Sequence, residues 1–488
     1  MTHNNLKLKV EYGDFQTPLK LSEMVCQKLI NIGLNPEVII EPTCGVGNFI
    51  EAAARSFKLT NKIIGLEINR DYLQEIEQKK QILQDARIEV SEGNFFQFDW
   101  SSLVNNLDGE ILVLGNFPWI TNSQQGAMGG INLPEKSNFQ KHNGLDAITG
   151  KSNFDISEWM LIQVVHWLQN RDASLAMLCK TSVSRKILNY LYAKKLNLAY
   201  CATYKIDTKK YFDASVEAGL LFCKFDASSK KYFCDVFSDL KTSNYLRIGY
   251  RNNILVADID SFEKLEKLYD IKSQTKWRSG VKHDCSNVME FYRSGDTFIN
   301  GLGELVNIED TYLFPLLKGS DIAQNRTQTT ERFVLVTQRF VGEQTASIKS
   351  LAPKTWSYLE AHTKYLDIRK SKIYDNKPRF SIFGIGSYTF APWKIAICGL
   401  YKKLDFRLVG QINARPTLFD DTVYFLSFDD EKSASETFQL LTSVSAINFY
   451  SSLIFWDEKR PIKSSILNSL NLKALKLALP NPSLSPQL

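Results

Sequence analysis

Apolar residues in the first half of the chain follow two different spacings. Short runs made almost entirely of apolar residues are typical of strands that are buried on both faces, and they occur at 38–40, 62–66, 88–90, 111–114, 174–178 and 218–225. Between these runs, apolar residues three or four positions apart predict helices at 19–32, 47–57, 158–169 and 184–194. Strands that alternate with helices build parallel βαβ units. We therefore predict an α/β fold with a doubly wound, mainly parallel sheet.

The pattern changes beyond about residue 241. Strand-like runs at 332–337 and 393–397 are mixed with a helical stretch at 435–453. Polar connectors that contain Gly or Pro separate these segments, which is typical of an α+β arrangement. The sequence therefore predicts two domains, an α/β domain at 1–235 and an α+β domain at 236–488.

Composition narrows the class of protein. A chain of 488 residues with 44% hydrophobic and 23% charged residues is ordinary for a globular protein of two or three domains. It has no apolar run of membrane-spanning length and no apolar core of a signal peptide near its start, so we expect a cytoplasmic protein. The eight cysteines are scattered singly and the five histidines do not cluster with them, which argues against a metal site or a disulfide framework.

The basic charge is concentrated in the second half. Residues 241–488 contain 33 Lys and Arg against 26 Asp and Glu, whereas the first 240 residues have a net charge of −1. A basic excess in one part of a chain indicates a polyanionic partner there. The basic runs at 276–283 and 369–372 suit contacts to phosphates and bases, although each is also compatible with a solvated surface.

The strand predicted at 111–114 ends in a chemically suggestive tetrapeptide, Asn116-Phe117-Pro118-Trp119. Open α/β sheets bind their ligands at the carboxyl ends of strands. There, an amide oxygen and a backbone carbonyl can accept both hydrogens of an exocyclic amine, and a Trp face can stack on a flat ring. These groups suit chemistry on the amine of a nucleobase. The alternative is a strand-end turn with a buried Trp.

Three other predicted strands end in residues that suit a nucleoside-like ligand. Residues 39–49 form a strand, a turn with two glycines that let a ligand approach the backbone, and a helix start. Glu67 ends the second strand, where a carboxylate can accept hydrogen bonds from ribose hydroxyls. Asn94 and Phe95 follow the third strand.

These motifs resemble those of a known enzyme class. The tetrapeptide is similar to the Asn-Pro-Pro-Tyr/Trp motif of amino-methylating DNA methyltransferases, and residues 39–49 resemble the first motif of S-adenosylmethionine-dependent methyltransferases. Residues 12–18 resemble the segment that closes over the methionine part of that cofactor. Their order resembles that of N6-adenine DNA methyltransferases of restriction-modification systems, and 150–155, 377–386 and 388–394 look like further segments of such enzymes.

The resemblance implies a Rossmann-like methyltransferase sheet that binds S-adenosyl-L-methionine, followed by a target-recognition domain. It implies cofactor contacts from Thr17, Glu41, Thr43, Cys44, Gly45, Gly47, Glu67, Asn94 and Phe95. It assigns catalysis on a flipped adenine to Asn116, Phe117, Pro118 and Trp119, without a metal. The chain departs from the family at Asn94, where Asp is usual, and at Phe117, where Pro is usual. The implied partners are double-stranded DNA and a cognate restriction endonuclease, and we expect a monomer.

Other functions stay open. N4-cytosine methylation uses the same amine chemistry, commonly with Ser in place of Asn, whereas cytosine C5 methylation needs a Pro-Cys pair that the chain lacks. RNA or a protein amide could be the substrate, or the chain could be a non-catalytic DNA-binding relative. The long polar segment 121–153 is expected either to order on DNA or to be a surface insertion.

Overall fold

A computed structural model describes residues 16–119, 155–273 and 275–478. Residues 12–15 of the N-terminal motif, the polar segment 121–153 and residues 150–154 lie outside the described residues. The chain divides into two compact units, Met1–Ile259 and Asp260–Leu488, and each is described by itself.

One mixed sheet forms the framework of the first unit. Within the described residues its strands are β1 (Val38–Glu41), β2 (Lys62–Glu67), β3 (Ile88–Glu92), β4 (Ile111–Asn116), β5 (Ala173–Lys180), β6 (Leu198–Ile206), β7 (Ala218–Phe225), β8 (Phe233–Phe237), β9 (Tyr245–Arg251) and β10 (Ile254–Val256). Their order is β10-β9-β8-β6-β7-β5-β4-β1-β2-β3. The stretch β3-β2-β1-β4-β5 is parallel, whereas β7 runs antiparallel to β5 and β6. The predicted α/β sheet is confirmed.

Helices join the parallel strands, as the spacing of apolar residues predicts. In the described part of this unit they span Leu19–Asn31, Asn48–Ser56, Arg70–Leu83, Trp100–Asn105, Ile156–Leu168, Thr181–Ala193 and Thr208–Phe212. The helix Ile156–Leu168 is apolar around most of its circumference and is correspondingly buried. It starts at Asp155, whose carboxylate caps it by accepting from the Ser157 N–H.

The strand order creates a switch point in this sheet. After β1 the chain runs outward through β2 and β3, and it then returns to place β4 on the other side of β1. Ligands of open α/β sheets bind in the crevice at such a point, beyond the carboxyl ends of the strands. Glu41, Glu67 and Asn116 are the last residues of β1, β2 and β4, so the fold brings all three to this edge.

The boundary between the units lies later in the chain than the predicted position after residue 235. Strands β8, β9 and β10 belong to the first sheet, because β8 pairs with β6, β9 with β8 and β10 with β9. The polar residues near 228 form a turn inside this unit, where the Asp226 carboxylate accepts from the Ser228 N–H. The predicted division after residue 235 therefore falls inside strand β8 of the first unit.

The second unit contains two smaller sheets. In its described part, one sheet has the order β11-β20-β17-β18 and the other β14-β13-β12-β16-β15-β19. The strands are β11 (Arg278–Ser279), β12 (Glu290–Ser294), β13 (Thr297–Asn300), β14 (Leu305–Val306), β15 (Leu313–Leu317), β16 (Arg332–Leu335), β17 (Trp393–Cys398), β18 (Arg407–Val409), β19 (Leu418–Phe419) and β20 (Val423–Phe428). The strand pairs are antiparallel except β15 with β19.

Short helices surround these sheets. The α-helices described here span Ile259–Leu265, Ser286–Met289, Gly319–Ala323, Ile348–Leu351, Pro353–Ala361, Thr363–Asp367, Glu431–Leu441, Val444–Leu453, Ser464–Leu467 and Leu472–Ala478. The helix predicted at 435–453 is therefore two helices. The break occurs because the Ser443 side chain caps the second helix by accepting from the Ala446 N–H.

The described ranges contain no helix long and apolar enough to cross a membrane. They also contain no cluster of His, Cys, Asp and Glu that could hold a metal ion. All eight cysteines fall in described ranges and are free thiols, and seven of them are buried.

Candidate active site

The turn after β1 has a backbone shape that requires glycine. Gly45 and Gly47 have φ angles of +52° and +74°, which L-residues rarely adopt. A Cβ on Gly45 would overlap the Gln16 side chain, and one on Gly47 would lie 2.7 Å from Ile76 Cγ1. Gln16 Oε1 accepts a hydrogen bond from Val46 N at 3.0 Å. The turn is thus a tight cradle of backbone at the start of a helix.

Glu41 lies beneath this cradle and is 4% exposed. Its Oε2 accepts a hydrogen bond from Ile50 N at 3.1 Å, in the first turn of the helix Asn48–Ser56. Burial raises the pKa of Glu41 well above its ordinary value, and the nearby charge of Glu67 adds to the rise. A buried acid of this kind favours a cationic ligand group, because a positive charge beside it would restore the ionised form.

Glu67 is held in one orientation by backbone donors. Its Oε2 accepts from Gly45 N at 2.7 Å, while its Oε1 accepts from Ile68 N at 3.0 Å and Asn69 N at 2.8 Å. The carboxylate therefore ties the glycine turn to the end of β2. The sequence predicted Gly45 and Glu67 at one site, and the structure brings these two residues into contact.

Thr43 and Cys44 complete the turn in different ways. Thr43 Oγ1 is buried and has no hydrogen-bond partner in the described part of the chain, which is uncommon for a buried hydroxyl. Cys44 N donates to Leu66 O at 3.0 Å, and burial raises the pKa of its thiol well above the ordinary value. Thr43 thus places a hydroxyl with no partner among the described residues in this turn, whereas Cys44 packs against the sheet.

Asn94 makes hydrogen bonds within its own turn, and Phe95 packs against other aromatic rings. Asn94 Oδ1 accepts from Phe96 N at 3.0 Å, and its backbone oxygen accepts from Gln97 N and Phe98 N. This is an Asx-type turn. Phe95 is 6% exposed. Its predicted contact with an adenine ring stays a prediction.

Asn116 is oriented by a residue far away in the sequence. Its Nδ2 donates to Thr17 Oγ1 at 3.3 Å, so the amide oxygen points away from Thr17. Thr17 is 6% exposed, and its backbone oxygen accepts from Asn48 Nδ2 at 2.7 Å. Thr17 was predicted as a cofactor residue; the structure also places it against the predicted catalytic amide.

Phe117 is fixed by an aromatic cluster, and Pro118 beside it is half-buried. The Phe117 ring is 1% exposed, and its centroid lies 5.3 Å from that of Phe95 in an edge-on arrangement. The cluster consists of Phe95, Phe96, Phe98, Trp100, Phe117, Trp159 and Trp167. An aromatic side chain thus anchors the turn at the position where the resembling family has its first proline.

Trp119 is 5% exposed, as the alternative of a strand-end turn with a buried Trp expects. Its ring lies 5.1 Å from that of Phe212, with the planes tilted by 60°. Phe212 is more accessible and was missed in the sequence, because it belongs to the helix Thr208–Phe212 far along the chain. No local pattern could have revealed this ring pair.

Lys180 is a second missed residue. Its Nζ donates to the Trp119 backbone oxygen at 2.8 Å and forms an ion pair with Asp155 Oδ2 at 2.6 Å. A signal was present, since Lys180 directly follows the buried apolar run of β5. Glu67 was predicted because it ends an apolar strand, and Lys180 ends β5 in the same way.

One curated relative decides the family. The chain is 64% identical over 475 residues to the Type II methyltransferase M.NspV from Nostoc sp., and the match covers 97% of this chain and 99% of the relative. The chain belongs to the Type II methyltransferases. No family model matches it.

A solved structure supports the fold of this Type II methyltransferase. This chain superposes on the Type IIL restriction-modification enzyme MmeI, which was solved in complex with DNA, with a TM-score of 0.53 and 15% identity. The match covers 96% of this chain and 67% of that one. At this identity the likeness shows the fold alone, and it confirms the predicted Rossmann-like architecture.

The first basic run of this Type II methyltransferase, residues 276–283, is only partly available to a partner. Trp277 is 3% exposed and packs 5.7 Å from Phe406, so its ring is a core residue. Lys276 and Arg278 are exposed.

The second run, residues 369–372, divides in the same way. The Arg369 guanidinium donates to backbone oxygens of His283, Leu366 and Ser381 and lies 3.7 Å from the Tyr374 ring. Arg369 therefore stabilises its own unit, whereas Lys370 and Lys372 are exposed.

Proposed function

We propose that this chain transfers a methyl group from S-adenosyl-L-methionine to the N6 amine of an adenine flipped out of duplex DNA. One observation carries the proposal. Asn116 ends β4 at the switch point, beside the glycine cradle of β1, with its amide oriented by Thr17. The relative's name, Type II methyltransferase, and the DNA in the MmeI complex support this reading.

The residues around the cradle fit the cofactor. Gly45 and Gly47 give the turn a positive-φ backbone with no Cβ, and the buried Thr43 hydroxyl would offer a hydrogen bond. Glu41 would face the cofactor's ammonium group, and Glu67 its ribose hydroxyls. The sulfonium methyl supplies the electrophile. Asn94 and Phe95 would meet the cofactor's adenine, and Cys44 would support the turn from the sheet side.

Asn116 and its neighbours would activate the target amine. An adenine amine is a poor nucleophile, because its lone pair is delocalised into the ring. Its two hydrogens would be accepted by the Asn116 amide oxygen and by the backbone oxygen of Phe117 or Pro118. This favours a pyramidal nitrogen whose lone pair points at the methyl group. The rest of the catalysis would be positioning for an in-line displacement, in which the N–C bond forms as the sulfonium S–C bond breaks, a neutral thioether leaves and the amine loses one proton to water.

The target ring would be held by aromatic contact. Trp119 is nearly buried beside Phe212, and Phe212 is the more accessible ring of the pair. We therefore assign the stacking contact to the pair, with Phe212 presenting a face and Trp119 supporting it. Trp119 alone was the prediction from the sequence.

The deciding experiment is methyl transfer from labelled cofactor to unmethylated genomic DNA, with the product nucleoside identified by mass. N6-methyladenine that is lost in Asn116→Ala, and kept in the exposed control Asn31→Ala, is the expected result. N4-methylcytosine would overturn the base assignment. No transfer by a chain that still binds the cofactor would favour an RNA or protein substrate, or a non-catalytic relative.

A further inference from the structure

The second unit presents two adjacent apolar side chains at the tip of a turn, which we name the Phe340 turn (residues 338–343). Phe340 is 59% exposed and Val341 is 45% exposed. Glu343 N donates to Phe340 O at 3.2 Å, and Gly342 has a φ of +90°, as the third residue of a type II turn requires. Single exposed apolar residues are ordinary, whereas an adjacent pair at a tip is a shaped protrusion.

Buried hydrogen bonds hold the base of the Phe340 turn. Gln338 is 2% exposed, its Nε2 donates to Glu343 O at 2.6 Å, and its Oε1 accepts from Ile382 N at 2.9 Å. Arg339 N donates to the Glu343 carboxylate. The tip is therefore preorganised, so a partner would not have to pay much conformational entropy to engage it.

A basic segment is bound directly to this turn. Thr337 Oγ1 donates to Phe380 O at 2.7 Å, and Thr345 Oγ1 donates to Arg379 O at 2.5 Å. Residues 369–382 contain five Lys and Arg against one Asp. The exposed basic residues of the turn and the segment are Arg339, Lys370, Lys372, Lys377 and Arg379.

An apolar tip with a basic flank fits duplex DNA better than a protein surface. Proteins that deform DNA insert apolar side chains such as Phe between base steps while basic residues contact the phosphates. We infer that the Phe340 turn is a wedge that enters the duplex, with Phe340 and Val341 against the bases and with Arg339 and Arg379 at flanking phosphates. The inference rests on the proposed DNA substrate and names residues that engage it.

The test compares Phe340→Ala, Arg379→Gln and the control Leu305→Ala in the full chain. Leu305 is 73% exposed and follows the acidic Glu304, so its loss should leave DNA binding unchanged. The probes are fluorescent duplexes cut from unmethylated genomic DNA and, once mapped, a short duplex with the methylated site. Binding is measured between about 50 and 200 mM salt, where phosphate contacts are most visible.

We expect Phe340→Ala to weaken binding of the mapped site by about ten-fold, as for loss of a base-stacking aromatic ring, without changing the salt dependence. Phe340→Leu should restore part of the affinity. Arg379→Gln should reduce the slope of log K against log salt by about 0.9, the value for one phosphate contact. Cofactor affinity and melting temperature should match the wild type in every variant.

Equal DNA affinity of Phe340→Ala and the wild type would overturn the wedge, as would an unchanged salt slope in Arg379→Gln. The proposed function fails separately, if the wild type transfers no methyl group to DNA. In that case the affinities for the genomic duplexes still decide the inference. Capture of a protein by the turn, without any effect of these variants on DNA, would also overturn it.

Discussion

An amide can act as a directed acceptor only if its two ends are told apart. Asn116 meets this requirement through its hydrogen bond from Nδ2 to Thr17 Oγ1, which leaves the oxygen as the end that faces away. The hydroxyl of Thr17 is nearly buried, so the contact is shielded from competing water. Thr17 is therefore a positioning residue for the proposed chemistry as well as a neighbour of the cofactor turn.

Replacing Thr17 by Val should lower kcat by about five-fold, because the amide loses the hydrogen bond that fixes its orientation, which is worth about 1 kcal/mol. Thr17→Ser should restore most of the rate. Steady-state methylation of DNA separates kcat from KM. A rate loss that Ser does not rescue would indicate that the methyl group of Thr17 matters through packing instead.

Lys394 is a second residue whose surroundings predict a measurable effect, in this case on how stability depends on pH. It is 1% exposed in strand β17, and its Nζ donates to Ala391 O at 2.7 Å. Burial alone lowers its pKa from 10.5 to about 7. An ammonium group in such a place destabilises the fold whenever it is protonated.

The free energy of unfolding should therefore rise with pH between about 7 and 10.5 on account of Lys394. In this range the unfolded chain binds the proton and the folded chain releases it. Lys394→Met should raise Tm most at neutral pH, by roughly 2–4 °C for each kcal/mol, and the gain should shrink toward pH 10. Melting curves of both proteins across this range provide the test, and a constant difference would contradict it.

At the scale of elements, the ends of strands carry the site. Lys180, at the end of β5, joins the Trp119 backbone to Asp155 at the start of the next helix. Both contacts are largely buried: the Lys180 side chain is 18% exposed and the Asp155 side chain 10%. One cation thus fixes Trp119, the last residue of the tetrapeptide, relative to Asp155.

Lys180→Met should destabilise the chain by about 3 kcal/mol, because it leaves a buried carboxylate without its partner. It should also lower kcat, because the backbone after Pro118 loses its anchor. Adding Asp155→Asn should recover stability without recovering kcat. Thermal melting and methylation rates of the single and double variants distinguish these effects. Recovery of both properties together would show that Lys180 acts only through stability.

The whole molecule divides where strand β10 ends, and this has a direct test. A fragment of residues 1–259 should fold cooperatively and bind cofactor. A fragment of 1–235 should aggregate, because it lacks β9, β10 and the end of β8 and leaves the edge of the sheet unprotected. Calorimetry and cofactor titration of the two fragments measure this. Equal behaviour of both would place the boundary at the position predicted from the sequence.

The sequence predicted what depends on local patterns. Fully apolar runs located β1 to β5 and β7, and polar residues directly after such runs located Glu41, Glu67 and Asn116. Strand β6 and strands β8 to β10 were missed, because buried and more accessible residues are mixed along them. A local signal existed for Lys180 but was not used.

Other features depend on distant partners and could not be read from the chain. The contact between Thr17 and Asn116 joins residues 99 positions apart, and Phe212 meets Trp119 from a helix that follows β6. Phe117 stands where the resembling family usually has Pro. Its ring anchors the turn, because it packs edge-on against Phe95, which contacts several other aromatic rings.

Seven of the eight free thiols are buried, so their labelling rates can report how often each unit opens. A small alkylating reagent can reach a buried sulfur only when the surrounding structure opens, so the labelling rate reports the frequency of opening. Six cysteines lie in Met1–Ile259 and two in Asp260–Leu488. The half-buried Cys285 should be labelled first, after which Cys398 reports on the second unit and the remaining thiols on the first. Mass spectrometry of one sample would then measure how often each unit opens, without any engineered probe.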